Sequence, residues 1–286
     1  MIRRMGQLPR RVRLVIFDLD GVIYRGDTLI PGAPELVDWL HHAGVAVRFA
    51  TNNSMVTRAG YVERLGAMGI PTTVEEIVTS TSATVEHLRR HVPHVRSVLA
   101  VGADGMRDEL TAAGLEVVMA GAVAPTAPGA VLERTFDAVI VGLDPAVDYG
   151  RLAIAMSAVG DGARLIATNA DARYPTPAGF LPGAGAIVAA LATATGVTPE
   201  VIGKPAPAMF TAILEASGVP SAATVVVGDN PDADVVGAHR AGCAAILVLT
   251  GVATAESAAG LRGERRPEAF ADDPAAVRRL LEGLVS

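Results

Sequence analysis

The 286-residue chain predicts an α/β fold built on parallel sheets, with a second α/β unit inserted into the first. Three observations predict it. Short apolar runs alternate with helical stretches of about 10–15 residues, the pattern of strands joined by crossover helices. Polar clusters stand at the carboxyl ends of those runs, where open α/β sheets bind ligands. Finally, about 150 residues separate Ser54 from Lys204, far more than the ~30 of one strand–helix–strand unit.

Taken in order, "RVRLVIFDLDGV" reads as a buried strand ending in two aspartates, Asp18 and Asp20, and "YRGDTLIPG" as a short hairpin. "APELVDWLHHAG" is a helix with Pro34 near its start and Gly44 past its end. "VAVRFATNNS" is a strand entering a polar loop, "RAGYVERLGAMG" a helix closed by Gly69, and "STSATVEHLRRHV" another helix. Two strand–helix–strand units follow, "SVLAVG" to "LEVVM" and "FDAVIVGLD" to "ARLIATNAD", alike in pattern more than in residues. "LPGAGAIVAALATATG" is a helix opened by glycines, and "EVIGKP" a short strand into a turn. "PAMFTAILEASG" and "DADVVGAHRAG" are helices alternating with the strands "ATVVVGD" and "AAILVLTG", and "DDPAAVRRLLEGL" is a C-terminal helix.

Composition narrows the function. A net charge of −6 and 4% aromatics argue against binding nucleic acid through phosphate contacts or base stacking. The single cysteine, Cys243, can form no intrachain disulfide and reads as a buried small hydrophobe, which fits a reducing, cytoplasmic setting. Five arginines among the first thirteen residues read as a solvated basic tail before the first strand. The apolar run after them, "LVIF", is too short for a signal-peptide core, and no run approaches the ~20 residues of a membrane span.

Rare residues mark the chemistry. Lys204, in "VIGKPAP", is the only lysine of a chain that otherwise uses arginine. The four asparagines, Asn52, Asn53, Asn169 and Asn230, fall in "TNNS", "TNAD" and "GDNPDAD". For any one of them a turn or helix cap is the plainer reading. Asp18 and Asp20 are like charges at one strand end, costly unless a cation joins them. Asp229 and Asp234 add carboxylates at another. Clustered oxygens of this kind suit Mg2+. Thr51 and Asn52 offer donors for phosphate oxygens, and Lys204 a compact positive charge. Together these make the set that phosphoryl transfer needs.

The same residues carry a resemblance. "DLDGV", "TNNS", "GKP" and "GDNPDAD", in that order, resemble the haloacid dehalogenase-like (HAD) phosphatases over about residues 12–251. "TNADARYPTPAGFLPGAGA" resembles class IIA, the NagD-like and 4-nitrophenylphosphatase-like enzymes. The resemblance implies a Rossmann-like core of residues 1–83 plus 199–286, with an α/β cap of residues 84–198 inserted between the second and third motifs. It implies Asp18 as the nucleophile that becomes an aspartyl-phosphate, and Asp20 as the acid, then base. It implies Mg2+ on the Asp18 and Asp229 carboxylates and the Asp20 carbonyl. Thr51, Asn52 and Asn53 would hold the phosphoryl group, with Lys204 between it and Asp18. Asp234 and Asn230 would support the site from behind, Asp234 being favoured over Asp232. Asn169 and Asp171 read equally as substrate-side residues of the cap or as a loop tying cap to core.

Weaker patterns are set aside. His87 and His91, four apart on a predicted helix without carboxylate support, read as an exposed face rather than a metal pair. "LPGAGAIV" lacks the third glycine of a dinucleotide fingerprint, and "GKP" lacks the Walker A spacing. The expected activity is Mg2+-dependent hydrolysis of a small phosphorylated metabolite: glycerol phosphate, phosphoglycolate, a nucleoside monophosphate or a sugar phosphate. A non-catalytic phosphometabolite-binding protein and a phosphomutase are the alternatives. A dehalogenase would need neither metal nor an acid at Asp20. No nucleic-acid or membrane partner is expected, and the resemblance implies a homodimer through the cap.

Overall fold

The computed structural model describes residues 2–4, 6–123, 134–176 and 179–285. The chain divides into two compact units. The first comprises Met1–Thr51, Ala59–Val78 and Lys204–Ser286; the second comprises Asn52–Arg58 and Thr79–Gly203.

In the first unit, the strands lie in the order Ile2–Arg4, Ala269–Ala271, Ala244–Val248, Thr224–Gly228, Leu14–Phe17, Ala46–Thr51 and Ile77–Thr79. Ile2–Arg4 pairs antiparallel, and the pairings from Ala269–Ala271 through Ala46–Thr51 are all parallel. A parallel strand covered on both faces can be apolar throughout, and Leu14–Phe17 and Thr224–Gly228 are buried at every residue. The chain leaves Leu14–Phe17 toward Ala46–Thr51 on one side and later returns on the other as Thr224–Gly228. That reversal is the point at which an α/β sheet opens a crevice for ligands.

Two features differ from the sequence expectation. The basic N-terminus is not wholly a solvated tail: Ile2–Arg4 pairs with Ala269–Ala271. An edge strand presents unpaired N–H and C=O groups that another segment can satisfy. The helix expected over "DADVVGAHRAG" starts as a π-helical turn, Pro231–Val235, and only Val236–Arg240 is α-helical. Such turns gather at functional sites, and this one carries Asp234.

The second unit has a five-stranded parallel sheet in the order Glu200–Val201, Arg164–Ala167, Ala138–Val141, Ser97–Val101 and Glu116–Met119. Its core includes Leu99, Val139, Val141, Ile154, Ala158, Leu165, Ile187 and Leu191, from the sheet and from helices Tyr149–Gly160 and Ala184–Thr195. A hairpin, Arg173–Thr176 with Gly179–Pro182, stands apart from that sheet; Pro177 and Ala178 of the class IIA motif lie outside the described residues. Among the described residues no helix is long and apolar enough to cross a membrane.

The histidine pair also needs correcting. On helix Ser80–His91, His87 stacks on His91 at 4.6 Å, with its Nε2 2.7 Å from Glu200 Oε1. Its side chain is 14% exposed, so the expectation of an exposed face without carboxylate support fails for His87, while His91 is exposed as expected. Burial holds the His87 pKa below its usual value despite Glu200.

Candidate active site

Three adjacent strands of the first unit set out the site. Phe17 is in register with Val227 on one side and Phe49 on the other. Asp18, Asp229 and Thr51 therefore follow at the same carboxyl edge of the sheet. The Asp18 amide continues the ladder, donating to Val227 O at 2.9 Å.

Lys204 is 3% exposed. Its Nζ donates to Asp18 Oδ1 at 2.6 Å, Asp234 Oδ1 at 2.7 Å and Ala50 O at 3.1 Å. An ammonium has three protons, and each finds an acceptor. Asp234 is nearly sealed, and its other oxygen accepts the amides of Asp229 at 3.2 Å and Asn230 at 3.0 Å. The π turn thus folds Asp234 back over the strand end. Asp229 Oδ2 accepts the Val252 amide at 2.6 Å. Gly21, at φ +82°, lies so close that a Cβ there would stand 2.3 Å from Asp229 Oδ2. Any side chain at position 21 would displace that carboxylate.

Carboxylate oxygens of Asp18, Asp229 and Asp234 come within 4.8 Å of one another, with one lysine among them. Burial pushes the Asp18 carboxyl up to about 7; Lys204 opposes this and Asp234 adds to it. Burial, then Asp18 and Asp234, hold the Asp229 carboxyl well above the usual carboxylate range. Burial disfavours the Lys204 ammonium, but Asp18 and Asp234 outweigh it and raise its pKa. The site therefore carries more negative charge than its lysine balances. Hard oxygen donors with surplus negative charge fit a divalent cation such as Mg2+. With both Asp234 oxygens engaged by Lys204 and two amides, Asp18 and Asp229 are the carboxylates suited to it.

Asp20 is exposed, three residues beyond the strand end at Phe17, where the Gly21 amide donates to Tyr24 O at 2.7 Å. Partial enclosure raises its carboxyl pKa, against the opposing charges of Arg64 and Arg25. Arg64 is held over the Tyr24 ring at 4.2 Å. Thr51 is buried at its strand end. Asp232 is exposed and pairs with Arg265 at 2.8 Å, away from Lys204. Asn230 Oδ1 caps the π turn, accepting from the amides of Asp232 at 2.9 Å and Ala233 at 3.3 Å. Asn53 Oδ1 accepts the Met55 amide at 2.8 Å. For these two asparagines the plainer turn-and-cap reading describes the geometry.

In the second unit, Asn52 Nδ2 donates to Asp171 Oδ1 and Oδ2 at 3.0 and 3.1 Å, and Asn169 Nδ2 donates to Asn52 O at 2.7 Å. Sequence reasoning missed the Val252 amide, the Ala50 carbonyl and the two arginines beside Asp20. Backbone groups carry no side-chain signature. Arg25 and Arg64 are two among many arginines, with nothing in their spacing to single them out.

Two family models match, a haloacid dehalogenase-like hydrolase over residues 15–116 and a HAD-hydrolase-like family over residues 201–277. An acid sugar phosphatase of Staphylococcus aureus is 36% identical over 247 residues, covering 86% of this chain and 90% of that protein.

The chain belongs to the haloacid dehalogenase-like hydrolases.

Among solved structures of this family, a p-nitrophenyl phosphatase from Archaeoglobus fulgidus superposes with a TM-score of 0.84 at 31% identity, covering 95% of this chain and all of that one. A glycerol phosphate phosphatase from Mycobacterium tuberculosis, solved with magnesium, gives 0.82 at 32% identity, covering 96% of this chain and 78% of that one. The chain is a HAD-type phosphatase, with the parallel-sheet core and inserted α/β cap expected of class IIA.

Proposed function

We propose that the protein hydrolyses small phosphate monoesters with Mg2+ through an aspartyl-phosphate on Asp18. The observation that carries this reading is the buried Lys204, held at 2.6 Å from Asp18 and 2.7 Å from Asp234 beside Asp229. Asp18 and Asp229, with the Asp20 carbonyl, would hold the cation. When bound, the cation neutralises phosphoryl charge and lets the Asp18 oxygen approach phosphorus.

In this reading an Asp18 carboxylate oxygen attacks phosphorus as the ester P–O bond breaks. Asp20, with its raised pKa, gives its proton to the leaving alkoxide. Asp20 then takes a proton from the water that attacks the acyl-phosphate, releasing inorganic phosphate and restoring Asp18. Lys204 orients the Asp18 carboxylate, and the Thr51 hydroxyl with the amide of the following residue would donate to the phosphoryl oxygens. The relatives named for acid sugar, glycerol phosphate and p-nitrophenyl phosphate hydrolysis support a small monoester as substrate.

The test is release of p-nitrophenol from p-nitrophenyl phosphate, with a screen of phosphorylated metabolites read as liberated phosphate. Turnover that needs added Mg2+, stops with EDTA and disappears in Asp18→Asn is expected. Activity that survives in Asp18→Asn rules out the aspartyl-phosphate route.

A further inference from the structure

The chain passes between its two units at four places: after residues 51, 58, 78 and 203. Two of these joints adjoin Thr51 and Lys204. Within the second unit, three of the four joints meet at Asn52. Asn52 itself opens the first. Ser80, just past the joint after 78, donates its Oγ to Asn52 O at 2.8 Å. Gly203, just before the last joint, lies so close that a Cβ there would stand 2.6 Å from Asn52 Oδ1.

Asn52 is held through both its backbone carbonyl and its side-chain amide. Its carbonyl accepts from both Ser80 Oγ and Asn169 Nδ2, which fills both lone pairs. Its side-chain amide faces both Asp171 oxygens. Asn169, 3% exposed, uses its own Oδ1 to accept the Asp171 amide at 3.1 Å, locking the "TNAD" loop. Asp171 O in turn accepts the Gly185 amide at 2.9 Å, and a Cβ at Gly185 would come within 2.4 Å of Ala170 O. This accounts for the glycine-opened helix in "LPGAGA": the loop bearing Asn169 and Asp171 rests against its first turn. The Gly203 amide donates to Thr168 O at 2.8 Å, on the same loop.

We propose that Asp171 and Asn169 are positioning residues of the hydrolytic reaction, acting through Asn52 and Gly203 to set the chain segments that deliver Thr51 and Lys204. The proposal rests on the phosphatase reading for its kinetic consequence but not for its structural one. The Asp171 carboxylate is turned to the Asn52 amide, and in this proposal its work is to hold that amide. The two residues on either side of the joints, 51 with 52 and 203 with 204, are then aligned by one hydrogen-bonded cluster.

The experiment is a double-mutant cycle of Asp171→Asn and Asn52→Ala, with Ser80→Ala as a milder second variant. It is read as kcat and KM on p-nitrophenyl phosphate and glycerol phosphate, as the thermal midpoint, and as amide hydrogen exchange. Asp171→Asn should lower kcat about tenfold on both esters with KM and midpoint little changed, and cost nothing further in the Asn52→Ala background. Exchange should quicken in residues 50–54 and 202–206 and nowhere else. A rise in KM confined to glycerol phosphate would make Asp171 a substrate contact, and additive losses would uncouple it from Asn52; either overturns the proposal. Should the wild type hydrolyse neither ester, the phosphatase reading fails and exchange alone decides: unchanged protection of the two segments overturns the positioning role.

Discussion

Two buried cation–carboxylate groups in this protein look alike and differ in balance. In the second unit, Arg151 Nη1 reaches both oxygens of Asp144 at 2.9 and 2.7 Å, one cation for one carboxylate that is 4% exposed. In the first unit, one lysine serves Asp18 and Asp234 with Asp229 beside them. The first group is complete. The second is complete only with another positive charge; burial first, with neighbouring carboxylates adding to it, holds the Asp18 and Asp229 carboxyls above their usual pKa. A balanced buried pair is a structural element; an unbalanced one is a place kept for a ligand.

The contrast can be broken most severely at the unbalanced group. Asp18→Asn keeps size and removes the nucleophile; turnover of p-nitrophenyl phosphate should fall by at least about a thousandfold, with the far-ultraviolet circular dichroism spectrum unchanged. Lys204→Arg comes next. A planar guanidinium cannot point three protons at Asp18, Asp234 and Ala50 O from the space an ammonium fills, so kcat should drop by about a hundredfold. Near-normal turnover in that variant would show that charge alone suffices there.

At the balanced group the expectation reverses. Arg151→Met strands a buried carboxylate and should cost about 2–3 kcal/mol of stability in urea unfolding, while kcat per folded molecule stays within about twofold. A large loss of kcat at full stability would erase the distinction between the two groups.

The smallest effect belongs to a half-buried pair, His239 and Glu268, at 3.2 Å. The bond to Glu268, outweighing burial, raises His239 above 6.5. Burial tends to raise Glu268, but the bonds from His239 and the Ala245 amide bring it below 4.5. The His239 contribution is full below pH 6.5 and is lost as pH rises through its raised value. The Glu268 contribution is full above pH 4.5 and is lost as pH falls through its lowered value. The pair therefore helps most between those limits. His239→Gln should remove about 0.5–1 kcal/mol there and less above neutral pH, measured as the pH profile of the urea midpoint. A loss that is the same at every pH would mean the pair acts by packing alone.

Much of this molecule could be read from its sequence because the chemistry-bearing residues are scarce types at strand ends. Lys204, the only lysine, and the aspartates of "DLDGV" and "GDNPDAD" announce themselves by identity and spacing. The alternation of strands and helices did the same for both sheets. What escaped was set by partners distant in sequence. Ile2–Arg4 needed the edge at Ala269–Ala271 to become a strand. His87 needed Glu200, which no local pattern links to it. The four asparagines were flagged together, yet Asn53 and Asn230 serve backbone turns, while Asn52 and Asn169 bond to each other. Identity marked all four; only the fold sorts them.

The division of the chain also bears on modular engineering. Class IIA enzymes invite exchange of the inserted unit between relatives, and the obvious graft is one continuous run, 79–203. That graft would leave behind the seven residues 52–58, which belong to the same compact body. Ser54, whose Oγ accepts the Leu143 amide at 3.1 Å, and Arg58, paired with Glu109 at 3.0 Å, would stay with the recipient and meet a foreign loop and helix. A transplantable module must carry both pieces, so the exchangeable unit is a discontinuous cassette with four splice points.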